Sequence, residues 1–271
     1  MQPTFYTLHE RTTEGNTTIA RYTANLPSQG AWNEHEQHMA ASTGVLSYEL
    51  ENFMPRADMR IGRISLDIWG LIHLGDFTIT TRVLRPGRTI ELIEAVMDAN
   101  GKTCIVARAW RMVTSDTSAV AGLEDDKITH PEQLPDWNGM KHWGGGYINS
   151  IYLKSDPDNR QGKGIVWINT DVEMVTENGE VKPTSDFVHL LGLVDTANGI
   201  VPRIYQPDNI EWLFPNLDLQ IHMHRLPEGR WLGLETIQQI GHDGVGLTSS
   251  ILHDVHGAFG HSEQILTVRQ L

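Results

Sequence analysis

The sequence predicts an α+β fold in which one unit, a long helix followed by a meander of four strands, is used twice. Three observations carry this. The apolar pattern changes from helical spacing to strict alternation after Arg60, and strand-length runs resume from residue 216 after a second helical stretch. The turns Asp98-Ala-Asn-Gly101 and Asp254-Val-His-Gly257 fall in the same hairpin of each half, each before a final strand, as an internal duplication would place them. The length, 271 residues, suits two units of about 130 residues each.

Taken in order, residues 5–26 read as short strands around the turn Glu14-Gly-Asn16. The first long helix is expected next, with Asn33 as N-cap, Glu36 three residues later, and Met39, Val45, Leu46 and Leu50 on its apolar face. Ile64, Leu66 and Ile68 then alternate with Ser65, Asp67 and Trp69, and further runs at 76–84, 88–98 and 102–113 complete the meander. Residues 114–145, rich in Ser, Asp and Pro, read as a linker between a first unit at 1–113 and a second at 146–271. In the second unit, strands near 147–155 and 164–170 precede a helix, and runs at 216–224, 231–240, 246–254 and 258–268 follow it.

That second helix is expected over 184–199. Thr184, Ser185 and Asp186 can cap it, Pro183 cannot extend it backwards, and Asn198-Gly199 ends it. Phe187, Leu190, Leu191 and Val194 make its apolar face. Asp195 stands at the edge of that face, where a carboxylate without partners is costly, so it needs hydrogen bonds or a chemical task. Gln264 alternates with Leu266 and Val268 and points to the same buried face.

Composition narrows the function classes. A net charge of −13 argues against nucleic-acid binding, which draws its affinity from clustered Lys and Arg. Arg63, Arg82, Arg85 and Arg88 are the local cations available to a phosphate-bearing ligand. The single Cys104 excludes an internal disulfide framework and fits a reducing compartment; with no leader-like N-terminus and no apolar run of membrane-spanning length, a cytoplasmic protein that does not enter the membrane is expected. His35 with His38, and His222 with His224, are two-ligand pairs lacking a third, so no metal is expected. Gly246-Leu-Thr-Ser-Ser250 lacks the second glycine of a serine-nucleophile turn.

A single helix on a twisted antiparallel sheet, twice over, is a tandem or double hotdog: two antiparallel sheets each wrap a central helix and join edge to edge so that no long edge stays bare. The segments Gly30-x-Trp32-x4-Gln37-His38, Arg63-Ile-Ser-Leu-Asp-Ile68, Arg82 to Ala95, Asp195-Thr-Ala-Asn-Gly199, Asn216 to Arg225, Gly244-Val-Gly-Leu247 and Gln264 to Arg269 span nearly the whole chain. In that order they resemble the acyl-CoA thioesterase II type, and more closely the double-hotdog thioesterase-family proteins typical of actinobacteria.

The resemblance implies an enzyme that hydrolyses acyl-CoA without a cofactor, and it leaves room for a homo-oligomer. It implies that Asp195, Asn216 and Gln264 hold and activate the attacking water. It also implies that the helix start at His38, Met39 and Ala40 binds the thioester carbonyl as an oxyanion hole. Two departures stand out: Asn216 replaces the threonine of the well-studied branch, and Met39-Ala40 replaces a glycine pair. The first-half counterparts of Asp195 and Gln264 are expected at Ala40 or Ala41 and at Arg108, so only one of two symmetric sites would work. Two other functions compete. A non-catalytic acyl-CoA-binding protein would explain the lost glycine pair. A hotdog enoyl-CoA hydratase needs a His about five residues after its Asp, where this chain has Ile200.

Overall fold

The computed structural model describes residues 3–31, 33–206 and 210–271; Trp32, one of the residues carrying the resemblance, lies outside them. The first half contains β1 (Thr4–Glu14), β2 (Thr17–Ala24), α1 (Met39–Asn52), β3 (Met59–Ile68), β4 (Asp76–Arg85), β5 (Ile90–Ala99) and β6 (Lys102–Val113). After a stretch holding only short 3₁₀ turns come α2 (Gly146–Ser150), β7 (Ile151–Ser155), β8 (Lys163–Thr170), β9 (Glu173–Glu177) and β10 (Glu180–Lys182). Then follow α3 (Asp186–Leu191), α4 (Ala197–Ile200), β11 (Trp212–Leu213), β12 (Asp218–Met223), β13 (Leu232–Ile240), β14 (Val245–Asp254), β15 (Gly257–Thr267) and β16 (Arg269–Gln270). Among the described residues no helix is long and apolar enough to cross a membrane.

The strands of both halves form one sheet of fourteen, in the order β10-β9-β1-β2-β4-β5-β6-β3-β12-β15-β14-β13-β8-β7, and β11 pairs apart from it with β16. From β1 to β7 this order reads alike from either end. At its middle β3 and β12 pair antiparallel, with Ile64 opposite Ile221, so the edges of the two halves cover each other. The expected meander is corrected here: β3 pairs with β6 rather than with β4, which pairs with β2. Crossing over in this way is what leaves the free edge of β3 for β12.

A second correction concerns the hairpin of β9 and β10, which the sequence reading passed over. Asn178-Gly179 joins them with both residues at positive φ, the two-residue turn that matches strand twist. Its strand β9 runs parallel to β1, so a segment of the second half extends the sheet of the first. Residues 147–150, expected at the start of a strand over 147–155, lie instead in α2.

α1 starts at Met39, later than expected, because residues 29–37 are held extended. Gln37 N–H donates to the Ile72 carbonyl (2.7 Å) and Gly30 N–H to that of Glu36 (2.8 Å). Asn33 Oδ1 accepts from His35 N–H (2.8 Å) in a local turn instead of capping a helix. The cap is His38, whose Nδ1 accepts from Ala40 N–H at 3.1 Å. Every residue from Met39 to Ser47 is buried, so α1 is the shared core of the molecule rather than an amphipathic surface helix.

α1 packs on α3 across a glycine contact. A Cβ on Gly44 would meet the Met174 methyl and stand 3.1 Å from the Cα of Gly192. The methyl could move aside; the backbone could not. Gly44→Val should therefore destabilise the fold by about 1–3 kcal/mol through overpacking. Chemical denaturation would register this as a lower midpoint, and an unchanged midpoint would mean that the helices have room to separate.

Candidate active site

The helix expected over 184–199 is present as three pieces: α3, a 3₁₀ turn over Val194–Thr196, and α4. Ser185 caps its start by accepting from Val188 N–H (3.2 Å). The break follows Gly192, whose carbonyl accepts from the Tyr147 hydroxyl (3.1 Å). A carbonyl engaged by a side chain marks a kink in a helical ladder. Tyr147 also shares a hydrogen bond with Thr196 Oγ1 (3.0 Å), so one buried phenol grips the chain on both sides of Asp195.

Asp195 is 6 % exposed. Asn216 Nδ2 donates to its Oδ1 at 2.8 Å and Gln264 Nε2 to the same oxygen at 2.7 Å. Three separate elements thus converge: the helix break, the residues ahead of β12, and β15. Asn216 is held in turn by a bridge to Leu266 and by donating to the Asp218 carbonyl (3.0 Å). Gln264 is 1 % exposed, and its Oε1 has no hydrogen-bond partner among the described residues. Burial pushes the Asp195 carboxyl up from 3.8 to about 6, against the two amide donors, which favour the ionised form and pull it down.

A cavity of about 190 Å³ opens beside this group. Its walls include Asp195 and Asn216 from the second half, Gln37, His38 and Met39 from the first, and Met140 and Trp143 from the segment between. Gln264 is not on the wall; it supports Asp195 from behind. The N-terminal end of α1 therefore faces Asp195, as expected, but the Ala40 amide is already bonded to the His38 ring. Because Nδ1 accepts that bond, the neutral ring carries its proton on Nε2. Burial lowers the His38 pKa to about 4, and the ring stacks on Tyr147 with centroids 4.1 Å apart.

Several expectations need correction. Arg63, Arg82, Arg85 and Arg88 do not line the cavity. Arg82 and Arg108 both bond Glu94, and Arg63 bonds the Gln220 side chain. Arg108 cannot be the counterpart of Gln264, because Ala107 and Ala109 turn into the core while Arg108 lies on the opposite face. The bulges of the two hairpins match, at Cys104 and Phe259, and counting from them Ala109 aligns with Gln264; aligning the two Asp-x-x-Gly turns instead is out by one residue, which reverses the face. The first half also has a buried helical carboxylate of its own, Glu49 in α1, bonded to Arg11 (2.5 Å) and to the Tyr22 hydroxyl. Among the described residues no three His, Cys, Asp or Glu side chains gather as metal ligands. Tyr147, Met140, Trp143 and Phe214 escaped sequence reading, since they lie in segments without a periodic pattern.

Residues 28–112 match the profile of the acyl-CoA thioesterase N-terminal domain, and residues 125–268 that of the C-terminal domain. No curated protein matches the chain. Among solved structures, it is similar to a hot dog fold protein from Alicyclobacillus acidocaldarius (11% identity, 96% of each chain, TM-score 0.74). It is likewise similar to an acyl-CoA thioesterase II, TesB2, from Mycobacterium marinum (13% identity, 97% of this chain and 95% of that one, TM-score 0.67). A dehydratase domain from the CurK module of the curacin polyketide synthase shares the fold at TM-score 0.56, with 11% identity over 100% of this chain and 99% of that one. At these identities the likeness concerns the hotdog fold.

The raised acidity constant of Asp195 carries a stability consequence. Between pH 3.8 and about 6 the native carboxyl keeps its proton while the unfolded one has lost it, so stability falls as pH rises through this window. The penalty, at most about 3 kcal/mol for two pKa units, is complete above it. Asp195→Asn keeps an oxygen that can accept from both amides and removes the charge. Its denaturation midpoint should exceed that of the wild type at pH 8, and the difference should shrink below pH 4. A gain of equal size at both pH values would point to packing rather than to the buried charge.

Proposed function

The chain belongs to the acyl-CoA thioesterase family, and on that footing we propose that it hydrolyses acyl-CoA to a free acid and CoA, with Asp195 as general base. Two hotdog units in tandem, residues 1–113 and 146–271 joined by 114–145, would form the site at their junction. The observation that carries the reading is a buried carboxyl, on the wall of a cavity, whose hydrogen-bond donors among the described residues are two neutral amides. A base held by Arg would be too weak to take a proton from water; one held by amides, with a pKa near 6, stays ionised at neutral pH and still accepts it.

In this mechanism the water oxygen attacks the thioester carbonyl carbon as Asp195 takes its proton. Asn216, on the cavity wall, and Gln264, behind it, keep the carboxylate in place. The carbonyl oxygen becomes negative in the tetrahedral intermediate and needs donors. With the Ala40 amide engaged, the Nε2–H of His38 takes the larger share of that task, beside the first amides of α1. Collapse of the intermediate breaks the C–S bond, and the proton held by Asp195 leaves with the CoA thiolate. Water is the only co-reactant.

Free-thiol release from a panel of acyl-CoAs tests the reading. Asp195→Asn should lose roughly 10²- to 10⁴-fold in rate while still binding substrate. Binding with no thiol release by the wild type would identify a non-catalytic acyl-CoA-binding protein instead. The pH profile supplies a second check. The rate should fall as pH drops through about 6, where Asp195 gains its proton. Gln264→Ala removes a donor that lowers this pKa, so its acidic limb should move to higher pH; an unmoved limb would assign the titration to another group.

A further inference from the structure

A second groove, of about 410 Å³, lies against the outer side of the segment that walls the candidate active site. Trp137, Pro157, Ile200, Val201 and Tyr205 give it an aromatic and aliphatic lining. Gly199 lines both spaces. Between them stands Met140: it lines only the inner cavity and is buried, and a Cβ on Gly199 would come within 2.9 Å of its methyl. Its neighbours Gly139 and His142 line only the outer groove. The partition is therefore one thioether side chain resting on a glycine, and thioethers are unbranched and change rotamer readily.

We propose that the outer groove takes the distal part of a long acyl chain, with Met140 on Gly199 as the gate that sets chain length. This rests on the thioesterase reading of Asp195. The inner cavity, about 190 Å³, is little larger than the roughly 150 Å³ that houses a six-carbon ring, and it must also admit the thioester. A long chain has to leave it, and the contact at Gly199 is where the two spaces adjoin. Charge argues against the nucleotide end of CoA as the occupant. The groove carries Asp136, paired with Lys154, and Asp156 against Arg160, so it offers phosphates no net positive charge and leaves an alkyl chain indifferent.

Two variants test the gate. Met140→Ala should raise kcat/KM for long acyl-CoAs relative to short ones, by roughly fourfold for each further methylene brought out of water. Tyr205, 55 % exposed, can be changed without disturbing the core, and Tyr205→Glu should lower the same long-to-short ratio. Calorimetric binding of a long-chain fatty acid, which needs no turnover, should be weaker for Tyr205→Glu than for the wild type. Ratios that stay constant in both variants would overturn the gate, as would equal fatty-acid affinity, or a loss in Tyr205→Glu that is matched by its loss of affinity for free CoA. If no acyl-CoA is hydrolysed at all, the reading of Asp195 fails by itself, while weaker fatty-acid binding by Tyr205→Glu would still support the groove.

Discussion

A carboxyl buried without a cation beside it can ionise only if hydrogen-bond donors replace its hydration, and Asp195 is in that position. Two amides converge on one of its oxygens, which is enough to hold it and too little to make it a strong acid. Much of the surrounding structure serves that arrangement. Tyr147 draws the Gly192 carbonyl out of the helix, the chain tightens to a 3₁₀ turn, and Asp195 is turned toward β15. The pairing of β14 with β15 sets Gln264 opposite Thr248 on the inner face, and the bridge to Leu266 fixes Asn216.

The two halves share a strand order yet treat their buried carboxylates differently. Glu49 has an arginine and a phenol as partners, so its charge is met inside the protein. Asp195 has neutral donors and a cavity. A carboxyl buried with only amide donors has its pKa pushed toward neutrality. An approximately symmetric frame thus holds two buried carboxylates in different settings, and the chemical difference comes from the partner residues rather than from the fold.

The segment between the halves contributes more than a connection. Met140 and Trp143 line the inner cavity, and the Thr129 carbonyl accepts from the Trp167 indole (2.8 Å). Its apolar residues are spaced without a helical or strand period, because they pack from irregular backbone onto surfaces that other elements present. Sequence patterns register regular elements and pass over such residues.

The family resemblance alone pointed to Asn216; by itself the sequence determined the α+β class, most of the long strands, the duplication, and two polar residues, Asp195 and Gln264, in stretches otherwise built to be buried. All of these depend on local spacing, since a strand or helix repeats its environment every two or about four residues. The tertiary structure decided the rest. The start of α1 moved to Met39 because residues 29–37 are bonded to the chain near Ile72. The helix around Asp195 broke because Tyr147, distant in sequence, takes a carbonyl from it. Arg108 faced away from the core because the two turns, alike in sequence, close on pairs one residue out of step, Ala99 with Lys102 and Asp254 with Gly257. The first two are contacts between chain segments far apart, and no local pattern encodes the partner that makes them.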